Sequence, residues 1–312
     1  MPEITAIAPW FGAKRNLAAR IVAELGPHSA YWEPFCGSMA VLLAKDPCPM
    51  ETVNDLHGDL VNLGRVVAHD LLHGLLYRKL RRTFASRVLM DEAAARWKGR
   101  GNSPAGDVPD LDRAYDYFLS TWLGRNGVAG TQSFNQGFCR RFTKNGGSAA
   151  KRWCSAVDSI PAWNQRLREI CILSEDAIGL LQRIEDADGV VIYVDPPYLV
   201  KGARYVHDAD DSVPIVASIL GISDPAKLPP FAWHRAVAKL LCRFQKTRIV
   251  VSYYEHPLLA EIYPLWTKIP LKATKALVNQ SMRDSSGAVH APEVLLINGS
   301  SLVAPEAKGL FA

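Results

Sequence analysis

The sequence contains no apolar run approaching the roughly 20 residues needed to span a bilayer, and its N-terminus shows no charged-then-apolar leader pattern. The expectation is a cytosolic protein with no membrane partner. Its six cysteines, Cys36, Cys48, Cys139, Cys154, Cys171 and Cys242, form no C-x-x-C pair and have no histidine in ligand spacing. Neither a disulfide framework nor a metal site is therefore expected, and the thiols read as free. A strict G-x-G-x-x-G is missing, which withdraws support from a nicotinamide-dependent dehydrogenase. Internal repeats and long low-complexity tracts are also missing, which sets solenoid and linker architectures aside.

What is present is a chain of 312 residues, 48% hydrophobic, able to bury a substantial core as one large domain or two modest ones. The formal charge of +5 is modest, but its distribution is uneven. Residues 65–164 hold 16 basic and 8 acidic side chains, a net +8, against 20 and 23, a net −3, everywhere else. Such segregation suits a polyanion-facing module inserted into a near-neutral body; an ordinary solvated helical surface is the alternative.

The flanking segments read as α/β. A short strand over 29–35 stops at Pro34, and Gly37 and the small-apolar run 38–44 then suit a helix start, the strand-turn-helix unit of nucleotide-binding sheets. Residues 51–54 read as a second strand ending at Asp55, and 56–76 has helical apolar spacing. The β-branched run 189–194 fits a fully buried mid-sheet strand, 248–254 repeats that pattern, and 292–298 with 269–276 gives a late pair. Helices are expected over 17–25, 111–123, 156–169 and 233–244. The Gly/Asn/Pro-rich break at 99–109 and the change of composition mark 65–164 as an inserted domain, leaving 1–64 and 165–312 as one discontinuous body.

The sharpest chemical signal is Asp195-Pro196-Pro197-Tyr198 at the carboxyl end of a buried strand, where open α/β sheets bind ligands. Two prolines fix the backbone and remove two donors. At a sheet rim such a turn can aim the Asp195 carboxylate and the Pro196 carbonyl at one point. An amino group on an aromatic base needs two acceptors of that kind, because its lone pair is delocalised into the ring. Drawing on both N–H protons returns density to the nitrogen, which can then attack a methyl sulfonium. Tyr198 supplies a face for stacking a base; a strand-ending turn with a surface tyrosine is the plainer reading. In Glu33-Pro34-Phe35-Cys36-Gly37-Ser38, the glycine permits close approach of backbone to ligand, and Glu33 or the following amides could meet an amino acid tail. Asp55 stands where an acid binding ribose hydroxyls would stand, or caps the next helix. Pro9-Trp10-Phe11-Gly12-Ala13-Lys14 offers an aromatic to pack on a purine and a cation, or simply a hydrophobic staple.

These motifs, in this order, resemble the Dam-like, D12-class alpha group of DNA adenine-N6 methyltransferases across residues 1–64 and 170–298. The resemblance implies a Rossmann-like class I methyltransferase sheet with helices on both faces and an inserted, mainly helical target-recognition domain. It implies S-adenosyl-L-methionine as cofactor and double-stranded DNA as partner. Trp10, Gly12, Lys14, Glu33, Pro34, Phe35, Gly37, Ser38 and Asp55 would line the cofactor pocket. Asp195, Pro196, Pro197 and Tyr198 would hold a flipped-out adenine, and Asp176 would reach the cofactor's adenine. The chain departs from the family at Gly37-Ser38-Met39-Ala40, where many relatives show a second glycine, and in a longer, partly acidic stretch over 209–230. An RNA-adenine or cytosine-N4 enzyme, or an inactive DNA-binding relative, are the rival readings.

Within the insert, Arg78 and Arg81 belong to one basic cluster, and Arg140, Arg141 and Lys144 to another with interleaved aromatics, both suited to phosphate contacts. Arg125, Asn126, Gln132 and Asn135 are residue types able to make bidentate base contacts, and they resemble the family's recognition loop. The oligomeric state stays open.

Overall fold

The computed structural model describes residues 5–10, 12–100, 103–124, 137–138, 148–199, 213–274 and 290–303. Seven strands form one sheet: β1 (Ala30–Glu33), β2 (Met50–Asn54), β3 (Cys171–Leu173), β4 (Val190–Val194), β5 (Arg248–Tyr254), β6 (Thr267–Thr274) and β7 (His290–Ile297). Their order is β3-β2-β1-β4-β5-β7-β6. The first five run parallel, and β7 lies antiparallel between β5 and β6. Strand order reverses between β1 and β4, so the carboxyl ends of these two neighbours flank the crevice in which open sheets bind ligands.

Side-chain alternation explains why both faces are covered. Val191 and Tyr193 of β4 and Val250 of β5 enter one hydrophobic cluster, whereas Ile192, Val194, Ile249 and Val251 enter the other. On the first face lie α1 (Ala18–Leu25), α2 (Ala40–Ala44) and α3 (Gly58–Ala68). The same core continues into α4 (Leu72–Arg81), α5 (Arg87–Arg100), α6 (Leu111–Leu123), α7 (Ala149–Asp158) and α8 (Ile160–Leu167). On the second face lie α9 (Ala177–Arg183), α10 (Val213–Leu220), α11 (Ala232–Leu241) and α12 (Leu258–Ile262). The Rossmann-like sheet with helices on both faces is as expected from the sequence.

Three local differences have physical causes. The helix expected over 56–76 breaks because His69 turns extended and its Nδ1 accepts from the Leu71 and Leu72 amides, starting α4 afresh. The helix expected over 156–169 divides at Ser159 because Pro161, which has no N–H, takes the second position of α8. Strand β3 and helices α5, α9, α10 and α12 add to the expected set. A buried ion pair ties the helical segment to α3: Asp59 accepts from Arg113 Nε at 2.6 Å and from Trp97 Nε1 at 2.5 Å. Asp116, also buried, receives Arg96 and Arg100. Single removal of a partner from such pairs is costly because it strands a charge out of water.

Candidate active site

The carboxyl end of β1 is built around a sealed carboxyl. Glu33 is 2% exposed and accepts a hydrogen bond from Tyr31 Oη at 2.8 Å. Burial pushes its pKa up to about 8 against the pull of the Tyr31 bond, and the nearby Asp195 charge raises it further. The turn that follows is held by Asn54, which donates from Nδ2 to the Pro34 carbonyl at 3.0 Å and accepts the Cys36 amide on its own carbonyl at 2.9 Å. Gly37 has φ +45°, and a Cβ there would stand 2.9 Å from Trp10 Nε1, so glycine is required twice over, by conformation and by contact. Met39 occupies a left-handed conformation, φ 59° and ψ 31°, a region that costs most side chains roughly 1–2 kcal/mol. Its fully buried side chain fills space against the α3 face at Gly64.

Asp55, following β2, clamps two backbone amides: Oδ2 accepts from Gly37 N and Oδ1 from His57 N, both at 2.9 Å. It does not cap α3. That position belongs to His57, whose Nδ1 accepts from Leu60 N at 3.2 Å and whose ring meets Trp10 edge-on with centroids 5.4 Å apart.

The carboxyl end of β4 presents a different carboxylate. Asp195 Oδ1 accepts from Ser252 Oγ at 2.8 Å, and Ser252 in turn meets the Tyr193 hydroxyl at 3.0 Å. Asp195 Oδ2 pairs with Lys14 Nζ at 2.9 Å. Lys14 is itself 4% exposed, donates to the Gly12 carbonyl at 2.8 Å and lies 4.9 Å from the centre of the Tyr198 ring. Tyr198 packs edge-on against Tyr254 at 4.4 Å. Beyond it, His234 Nδ1 meets Tyr253 Oη at 3.0 Å, and burial, with His256 nearby, pushes the imidazole down to about 4. This His is neutral at physiological pH.

Between the two strand ends lies a cleft with a cavity volume of about 110 Å³. Trp10, Gly12, Lys14, Glu33, Phe35 and Gly37 line it, as do Ser38, Asp55, Asp195 and Pro197. The remaining expected residues stand around it or away from it. Pro34 serves through its carbonyl, Pro196 is buried, and Tyr198 flanks Lys14. Asp176 accepts from Gly179 N at 3.0 Å as the cap of α9 and is not among the lining residues.

Sequence reasoning missed His57, Tyr193 and Ser252, and above all the pairing of Lys14 with Asp195, which joins residues 181 positions apart. It also missed Glu293. The one available signal was an acid inside the otherwise apolar strand 292–298.

Within residues 65–164, Arg78 and Arg81 lie on the exposed side of α4 near its C-terminus, where cations are favoured by the helix dipole. Arg81 pairs with Asp158 at 2.9 Å, while Arg78 makes no ion pair among the described residues. Arg125, Asn126, Gln132, Asn135, Arg140, Arg141 and Lys144 lie outside the described residues. Of the 209–230 stretch, the described part includes α10, which packs on α11. Among the described residues no cluster of ligating side chains suits a metal ion, and no helix is long and apolar enough to cross a membrane.

A family model, D12 class N6 adenine-specific DNA methyltransferase, matches residues 10–214. A retron Ec67 DNA adenine methylase of Escherichia coli is 27% identical over 203 residues, covering 62% of this chain and 64% of that protein. Among solved structures, a precorrin 8W decarboxylase of Methanobacterium thermoautotrophicum aligns over 91% of this chain and 90% of its own, at 9% identity and a TM-score of 0.32, a likeness too slight to bear on the fold.

Proposed function

The chain belongs to the D12 class N6 adenine-specific DNA methyltransferases, and from that premise we propose that it methylates the exocyclic amino group of adenine in double-stranded DNA, using S-adenosylmethionine. The observation that carries this reading is the ion-paired Asp195 carboxylate on the rim of a cleft whose opposite wall holds Glu33, Gly37 and Asp55.

The wall fits such a cofactor. Gly37 leaves room that a Cβ would fill, and each Asp55 oxygen, though occupied once, keeps a second lone pair for a hydroxyl. Trp10 and His57 offer aromatic surface, and Glu33 offers a carboxyl that ionises when a cationic amino group arrives. When bound, S-adenosylmethionine supplies an electrophilic methyl group.

On the opposite side, the target nitrogen must come out of the base stack at a cost of a few kcal/mol. Tyr198 offers a stacking face that offsets part of this cost. Asp195 Oδ2 and the Pro196 carbonyl would accept the two amino hydrogens, restoring the nucleophilicity that conjugation removes. Ser252, itself met by the Tyr193 hydroxyl, holds Oδ1 and so fixes the carboxylate plane. Formation of the new N–C bond would be matched by cleavage of the donor's methyl–sulfur bond, leaving a neutral thioether, and the amino group's surplus proton would pass to solvent at the cleft.

Residues 1–64 and 165–312 would make up the catalytic body, and 65–164 would read DNA, with Arg78 and Arg81 among its phosphate contacts. Sequencing DNA from cells that express the protein, with detection of modified adenine, tests substrate and site together. Methylated adenine in one recurrent sequence context is expected, and its absence overturns the reading.

A further inference from the structure

The pairing that identifies Asp195 also obstructs it. Lys14 already holds one side of the Oδ2 atom that an incoming amino group would share, and its ammonium crowds the approach. An ammonium held at 2.9 Å also withdraws charge from the carboxylate, weakening it as an acceptor at the point where acceptor strength raises the nucleophilicity of the base. Lys14 cannot retreat into water, since it is 4% exposed and enclosed by Gly12, Tyr198 and the strand ends. A buried cation moves only to another buried anion.

One acidic side chain is within reach. Glu293 is 8% exposed on β7, in register with Tyr254 of β5, and its Oε1 lies 4.0 Å from Lys14 Nζ. It also adjoins Tyr198 and Asp195, and burial raises its pKa while Lys14 opposes the rise. Tyr198 is its hydrogen-bonding neighbour rather than a charge, and 4.0 Å is a long contact for an ion pair. The distance is what a receiving position requires rather than a resting one.

We propose that Glu293 is a positioning residue that accepts Lys14 when the target amino group displaces it from Asp195. No bond to carbon is made or broken in this exchange: Lys14 keeps its protons and its charge and changes its anionic partner. The inference rests on the methyl-transfer reading above.

The test is a double-mutant cycle on duplexes carrying the methylated site, with the target adenine or with 2-aminopurine in its place. Glu293→Gln should weaken capture of the extrahelical base and lower kcat about tenfold, the size of one charge-assisted hydrogen bond. Affinity for S-adenosylmethionine should stay within about twofold, the usual limit for uncoupled sites. In a Lys14→Met background, the same Glu293→Gln change should no longer weaken base capture. If Glu293→Gln fails to bind cofactor and is therefore misfolded, Glu293→Asp carries the same test with a smaller loss.

An equal loss in both backgrounds, or no loss in either, overturns the exchange while leaving the methyltransferase reading intact. A wild-type protein that marks no adenine overturns that reading and the exchange with it.

Discussion

Glu33 and Asp195 end neighbouring strands of one sheet and face one cleft, yet their surroundings differ in kind. Glu33 is closed off with a tyrosine hydroxyl as its partner, and burial holds it protonated to about pH 8. Asp195 lies on the rim, clamped by a serine on one oxygen and a lysine ammonium on the other. The crevice formed where strand order reverses therefore offers a neutral acid on one side and a paired anion on the other. An asymmetric reaction needs such a difference: a cationic group is welcomed where a proton can be released, and an amine is polarised where a fixed charge stands ready.

The comparison breaks most sharply at Asp195. Asp195→Ala should lower methyl transfer at least about 100-fold, as loss of a preorganised polar stabiliser commonly does, while cofactor affinity falls far less; single-turnover transfer and equilibrium binding separate the two effects.

Glu33→Gln sharpens the contrast from the other side. Because the native carboxyl keeps its proton to about pH 8 and the unfolded one releases it near 4.5, wild-type stability declines as pH rises between those values. The glutamine variant escapes that decline. At neutral pH it should unfold at higher denaturant, by about 1–3 kcal/mol, with the advantage vanishing toward pH 4.5. Its affinity for S-adenosylmethionine should fall about tenfold, the loss of one ionic hydrogen bond.

Tyr198→Ala should weaken capture of the flipped base by about 1 kcal/mol, the low end of the stacking range, because Tyr198 already packs on Tyr254. Fluorescence of 2-aminopurine at the target reads this directly. Smallest of all, Arg78→Ala should reduce the slope of log affinity against log salt by about 1, with no change in sequence preference.

Four of the five parallel strands, the Asp195 turn and the Glu33 turn were legible in the sequence because each rests on local pattern: β-branched runs, prolines that stop a strand, a glycine at a tight turn. Helix α5 was not: Met90, Ala93, Ala94 and Trp97 form its inward stripe, but two of the four are alanines, and Val88, Leu89 and Ala95 lie off the stripe and blur its period. The site's electrostatics were hidden for another reason. Lys14 reaches Asp195, and Asp59 reaches Arg113, only after the chain has folded. His57 took the cap position that Asp55 was equally suited to hold, because Asp55 is drawn back to the Gly37 amide.

The central claim is that the rim formed by Asp195 and Pro196 presents an adenine amine for methylation. Its most direct test is transfer of labelled methyl from S-adenosylmethionine to duplex DNA by purified protein, followed by nucleoside analysis. All label on N6 of adenine is the expected result; label on cytosine, or none on any base, would contradict the account.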